Sequence, residues 1–140
     1  MTVIDSCIII DVMSNDSFST ASKTALVDRA RKGRLFAPDI VFSEVCLAYP
    51  SASDAKRLFR DLDINIVHLD EECLFLAAST FNSFSSRNKK TKRQQIRTQK
   101  RILPDFYIGA FAQHQGLPLL TRDLKRKWGT DFPTLQIITP

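Results

Sequence analysis

The sequence predicts an α/β fold with a mainly parallel sheet, in a single domain over residues 1–140. Three observations lead there. Helical patterns and short apolar runs alternate along the whole chain, as they do where strands and helices pack in layers. The stretch Ile102 to Asp123, ILPDFYIGAFAQHQGLPLLTRD, holds half of a strand–helix–strand unit: a helix, a glycine and a strand, closed by an acid. No internal repeat and no linker marks a second domain, and 140 residues suffice for a sizeable core.

The chain opens on the β-branched run Thr2 to Ile4, which leads to Asp5. Two readings of the next residues stay open. Ser6 caps a short helix over Cys7 to Val12, or Val3 to Ile10 is one longer strand; the run Cys7-Ile8-Ile9-Ile10 fits either period. In both, Asp5 interrupts an apolar stretch where an unpaired carboxylate is costly. Ser14 to Ser19 reads as a loop. Ala21 to Lys32 is an amphipathic helix with Ala21, Ala25, Leu26 and Ala30 on one side, ended by Gly33. Leu35 to Ala37 is a short strand before Pro38. In the helix from Ile40 to Tyr49, Glu44 lies between Val41, Val45 and Ala48 on an otherwise apolar face, and Pro50 stops it.

Ala52 to Leu62 turns Leu58, Phe59 and Leu62 inward. Ile64 to Leu69 alternates as a strand. Asp70, Glu71 and Glu72 then open a helix with the charge its dipole favours, running to about Phe84. Ser85 to Gln99 has no Gly or Pro and one large apolar residue, Ile96, so it reads as a loop or as a helix extension formed with a partner. Pro104 and Asp105 head the next helix, for Pro lacks an N–H that a first turn leaves unpaired anyway. Gly116 stops it, and Leu117 to Leu120 is a buried strand that runs into Thr121-Arg122-Asp123. Leu124 to Trp128 reads as a short helix, followed by a Thr-Asp-Phe-Pro turn and a strand over Leu135 to Thr139.

Composition narrows the class. With 44% hydrophobic and 25% charged residues the chain is that of an ordinary globular protein. No apolar run approaches the ~18 residues of a membrane span, and no basic segment precedes an apolar one at the N-terminus, so no membrane contact and a cytoplasmic location are expected. Cys7, Cys46 and Cys73 are odd in number, lie in apolar surroundings and show no C-x-x-C spacing; reduced thiols are expected, not disulfides or zinc. Residues 1–83 carry 12 acids and 8 bases, residues 84–140 carry 3 acids and 12 bases, and the total is +5. The second half therefore suits a polyanion partner, with a solvated basic loop as the alternative.

Four acids stand out by position. Asp5 and Asp123 sit at strand ends, where open parallel sheets bind ligands. Glu44 interrupts an apolar helix face, and Asp105 heads a buried helix. Each singly has a structural explanation, as a cap, an ion-pair partner or a turn former. Together, four acids facing core-like surface need cations, and the Lys and Arg residues cluster elsewhere. Oxygen ligands alone suit Mg²⁺ or Mn²⁺. His68 and His114 make no ligand pattern, and no phosphate-binding glycine loop or Ser-His-Asp arrangement is present.

At these residues the sequence resembles the PIN-domain ribonucleases, and among them the VapC-type toxins of bacterial toxin–antitoxin pairs. The motifs are Ile4-Asp5-Ser6-Cys7-Ile8-Ile9-Ile10-Asp11, Ser43-Glu44, Leu103-Pro104-Asp105-Phe106-Tyr107-Ile108-Gly109-Ala110 and Leu120-Thr121-Arg122-Asp123, with Phe132-Pro133-x-Leu135 near the end. The family usually has Asn or a small polar residue where Cys7 stands, and the basic stretch Arg87 to Arg101 is longer than its common form. The resemblance implies a three-layer α/β/α sandwich and a metal-dependent endoribonuclease. Asp5, Glu44, Asp105 and Asp123 would hold Mg²⁺ or Mn²⁺, with Ser6 and Thr121 supporting them and Asp11, beyond the first turn from Asp5, either supporting them or purely structural. Lys89, Lys90, Lys92 and Arg93, and Lys125 to Lys127, would contact RNA phosphates. It also implies a cognate antitoxin, bound largely by the helices Ala21 to Lys32 and Ala52 to Leu62, and a homodimer. The alternative is a PIN-like module that binds RNA or protein without cutting.

Overall fold

Thr2–Ile4 is fully buried and forms β1, the middle strand of the sheet. The structure is a computed structural model that describes residues 1–87 and 102–140. In these residues β1 is followed by α1 (Ser6–Ser14), α2 (Ser19–Lys32), β2 (Leu35–Pro38), α3 (Asp39–Cys46), α4 (Ala52–Asp61), β3 (Ile64–Val67) and α5 (Glu71–Arg87). Then come α6 (Pro104–His114), β4 (Leu119–Leu120), α7 (Trp128–Asp131) and β5 (Ile137–Ile138). The strands pair in parallel in the order β3-β2-β1-β4-β5, and the helices complete a three-layer α/β/α sandwich.

This order fixes where a ligand can bind. From β1 the chain builds outward to β2 and β3, then returns to lay β4 on the other side of β1. Connections diverge at the β1–β4 boundary, and in such sheets the crevice at the strands' carboxyl ends is the binding site. The register pairs Ile4 with Leu120, so the next residues, Asp5 and Thr121, emerge side by side there.

Of the two readings for residues 3–12 the helix is correct. Asp5, not Ser6, occupies the N-cap position, in extended backbone at φ −78° and ψ 151°, and its carboxylate makes no capping bond. The cap position turns the chain into α1 and leaves that carboxylate for other partners. α1 ends at Asn15, whose φ of 57° is the left-handed conformation that Asn tolerates.

Three helices differ from the sequence reading. α3 ends at Cys46, short of Tyr49, and Ala48 lies in the turn beyond it and is exposed, so only Val41 and Val45 of the expected face are buried. In α2 the buried residues are Ser19, Ser22 and Leu26, whereas Ala21 and Ala30 are exposed. The polar Ser22 is inside because its hydroxyl donates to buried Asp11 at 2.8 Å, a contact no periodicity reveals. Leu124 to Lys127 is not helical; the short helix starts at Trp128. Asp123 Oδ1 accepts the backbone N–H groups of Lys125 and Arg126 at 3.0 and 3.3 Å, and this side-chain turn replaces the first helical turn.

The core gathers residues from both faces of the sheet, including Val3, Ile8, Leu35, Phe59, Phe106, Leu119 and Phe132. Gly109, inside α6, is required by this packing. A Cβ there would run into the Phe132 ring, meeting Cδ2 at 2.7 Å, and that ring is fully buried. All three cysteines are free. Among the described residues no helix is long and apolar enough to cross a membrane.

Candidate active site

Asp5 stands at the centre. Its backbone N–H donates to Leu120 O at 3.0 Å, which ties the end of β1 to β4. Its side chain is buried, and Thr121 Oγ1 donates to Oδ2 at 2.5 Å. Ser6 Oγ and Cys7 Sγ approach Oδ1 and Oδ2 at 3.4 Å each. Thr121 Oγ1 also accepts the backbone N–H of Asp123 at 3.0 Å. One hydroxyl thus fixes the first acid and the start of the loop that carries the last.

The four acids arrive from four places: the end of β1, the middle of α3, the first turn of α6 and the loop after β4. Two of them record the company they keep. Burial, then the opposing pull of a Ser6 hydrogen bond, then the charges of Asp5 and Asp105 leave the Glu44 carboxyl above its usual range. Burial chiefly, and then the charge of Asp5, lift Asp105; Arg126 opposes this and Asp123 adds to it. Like charges gathered in a partly dry place favour protons or cations.

The acids form a neighbourhood and not a closed shell. Asp5 is turned to Thr121, Asp123 to the N–H groups of Lys125 and Arg126, and Asp105 faces Arg126. Glu44 differs, because its Oε2 is buried and has no hydrogen-bond partner among the described residues. An orphaned carboxylate oxygen that feels the charges of Asp5 and Asp105 fits a hard divalent cation, which takes oxygen ligands.

The supporting residues divide. Ser6 and Thr121 touch Asp5. Asp11 does not: it is buried in a pair with Arg122, whose Nε and Nη2 donate to its two oxygens at 2.8 and 2.9 Å, while Ser22 donates a further bond. Arg122 also lies 4.2 Å over the Phe18 ring. Asp11 therefore pins the loop after β4 to α1 and α2. Cys7 adjoins Asp5, Thr121 and the N–H of Arg122, and burial together with the Asp5 charge lifts its thiol to about 11. It is a neutral neighbour of the carboxylate at neutral pH.

The basic residues divide as well. Lys125 and Lys127 are exposed. Arg126 departs from the expected role of phosphate contact: its side chain is only 10% exposed and is paired with Asp131 at 2.7 Å. Asp131 and its second partner Arg87 carried no sequence signal, since an isolated acid in a turn looks like any other. Lys89, Lys90, Lys92 and Arg93 lie outside the described residues.

Among the described residues, three ligand-type side chains with atoms within 4.8 Å of one another occur elsewhere, at Asp70, Cys73 and His114. Residues 70 and 114 come together only because α5 packs on α6, so their spacing gave no hint. Asp70 caps α5 by accepting the Cys73 N–H at 2.9 Å, and burial foremost raises the Cys73 thiol to about 12. Capping and packing account for this group.

A parallel sheet in the order β3-β2-β1-β4-β5, with Asp5 at the β1–β4 boundary, defines an open α/β fold whose crevice lies at the strands' carboxyl ends. The PIN domain profile matches residues 2–126, and the chain belongs to the PIN domain family. No curated protein is similar enough to match. Among solved structures it is similar to VapBC2 from Rickettsia felis bound to a DNA fragment from its promoter, with a TM-score of 0.69 and 12% identity over 99% of this chain and 97% of that one. It is also similar to a toxin–antitoxin complex from Klebsiella pneumoniae, with a TM-score of 0.65 and 23% identity over 100% and 98%. A third is Mycobacterium tuberculosis VapC20, described as a sarcin–ricin loop cleaving toxin, with a TM-score of 0.58 and 11% identity over 93% and 94%. At these identities the likeness is one of fold.

Proposed function

We propose that this PIN domain is a metal-dependent endoribonuclease and the toxin of a toxin–antitoxin pair. The observation that carries the reading is Glu44 Oε2, buried without a partner among the described residues beside Asp5 and Asp105, two acids whose charges it feels. The names of the structural neighbours support the toxin reading.

Asp5, Glu44, Asp105 and Asp123 would hold Mg²⁺ or Mn²⁺, Asp123 directly or through water. When bound, such an ion lowers the pKa of a water and offsets charge on a phosphodiester. The chain's own contribution is placement. Thr121 holds Asp5 in one orientation, and Ser6 sits between Asp5 and Glu44. The Asp11–Arg122 pair fixes the loop that presents Asp123. Exposed Lys125 and Lys127 beside Asp123 would hold the RNA backbone without reading bases, and Lys89, Lys90, Lys92 and Arg93 would add further phosphate contacts. Hydrolysis would leave 5′-phosphate and 3′-hydroxyl ends. A cognate antitoxin, a homodimer and a cytoplasmic location complete the reading.

Incubating a broad labelled RNA pool with the purified chain, with Mg²⁺ or Mn²⁺ and with chelator, tests it. Cutting that needs the metal and leaves 5′-phosphates is expected. RNA binding with no cutting under any metal would favour a non-catalytic binding module instead.

A further inference from the structure

Arg126 is a buried cation with an unusual set of neighbours. Its Nη1 pairs with Asp131 Oδ2 at 2.7 Å, and the other oxygen of Asp131 is taken by Arg87. One carboxylate is thus shared by two guanidinium groups. The Arg126 guanidinium lies 4.2 Å from the centre of the Phe106 ring and 5.4 Å from those of Phe84 and Trp128. That aromatic box favours a cation and keeps water away. Its Nε and Nη2 are buried and have no hydrogen-bond partner among the described residues. Nε is 3.6 Å from Asp105 Oδ2, within ion-pair range but too far for a good hydrogen bond.

Packing explains the Nη1 side of this arrangement but not the other. Two buried donors left open are costly, and the surplus positive charge of the Arg87–Asp131–Arg126 group is directed at Asp105. We infer that Arg126 is a positioning residue, a built-in counter-cation that steadies the unloaded acid cluster through Asp105 and competes with the divalent ion for that carboxylate. The inference rests on the metal-site reading above. It assigns Arg126 two effects of opposite sign. Its charge offsets repulsion among Asp5, Asp105 and Asp123 when no ion is bound, and repels an incoming ion when one arrives.

The test is calorimetric titration of Mn²⁺ into the purified chain, beside melting curves recorded in chelator. Arg126→Gln is expected to lower the melting temperature in chelator and to bind Mn²⁺ at least about threefold more tightly. Arg126→Lys, which keeps the charge, is expected to bind Mn²⁺ nearly as the wild type does. Asp131→Asn removes the anion that neutralises Arg126 and is expected to weaken Mn²⁺ binding, which supplies a second sign should Arg126→Gln fail to fold. A purely structural Arg126 would lower the melting temperature and leave Mn²⁺ affinity unchanged or weaker, and either result overturns the inference. A wild-type chain that binds no Mn²⁺ would overturn the metal site itself, an outcome distinct from unchanged affinity in the variant.

Discussion

Thr121 Oγ1 and Asp5 Oδ2 lie 2.5 Å apart, across the β1–β4 boundary of the sheet where the connections diverge. Parallel register brings the two residues level, and the hydroxyl is fully buried. Its one proton goes to Asp5 while its oxygen accepts the Asp123 N–H, so the orientation of Asp5 depends on it.

Thr121→Val keeps the shape and removes the donor. In metal sites the loss of such an outer contact typically lowers metal affinity or activity by about 10–100-fold. A drop in that range, in Mn²⁺ titration and in RNA cutting alike, is expected, while Thr121→Ser should retain most of both. Unchanged Mn²⁺ affinity in Thr121→Val would mean that the bond serves only the sheet.

The raised carboxyls predict how stability responds to pH. Glu44 and Asp105 lie above their ordinary values of 4.5 and 3.8, burial being the main cause. A folded state that holds protons more tightly than the unfolded one loses stability as pH rises. The loss begins near those ordinary values and is complete once pH passes the raised ones. Without metal, Glu44→Gln should therefore melt higher than the wild type at neutral pH, and the difference should shrink on acidification through that window. Mg²⁺ or Mn²⁺ should raise the wild-type melting temperature, since a ligand of the folded state alone stabilises it. Melting curves from about pH 4 to 8, with and without metal, check both; a Glu44→Gln variant that melts lower throughout would contradict the origin given for the shift.

Gly109→Ala should destabilise the protein although Ala favours helix by up to about 1 kcal/mol. The added methyl meets a buried Phe132 ring with nowhere to go, and overpacking of this kind costs about 1–3 kcal/mol. Urea unfolding should show a net loss. Relief by the double change Gly109→Ala with Phe132→Leu would tie the loss to that contact.

Asp5, Glu44 and Asp123 stand out as candidates because each is an acid in an apolar run, on a core-facing helix face or at a strand end, whereas Asp105, in a first helical turn where acids are ordinary, stands out only beside them. The α/β class was legible from alternation alone. What the sequence hid depends on long-range packing. The serine face of α2 is inward only because Asp11 waits there, and Arg126 reads as one more base in Lys125-Arg126-Lys127 until Phe106 and Asp131 close around it. His114 gave no ligand pattern, because its approach to Asp70 and Cys73 is set by the packing of α5 on α6.

Cutting and binding, measured side by side on one labelled RNA pool in Mn²⁺, test most directly whether this acid cluster hydrolyses phosphodiesters. The wild-type chain is expected to bind and cut. Asp5→Asn is expected to cut at least about a hundredfold more slowly, as befits loss of a central ligand and not of an outer contact. Its RNA binding should be unchanged or tighter, because negative charge near phosphate has been removed. Cutting by Asp5→Asn at the wild-type rate, or a wild-type chain that binds RNA and never cuts it, would contradict the nuclease assignment.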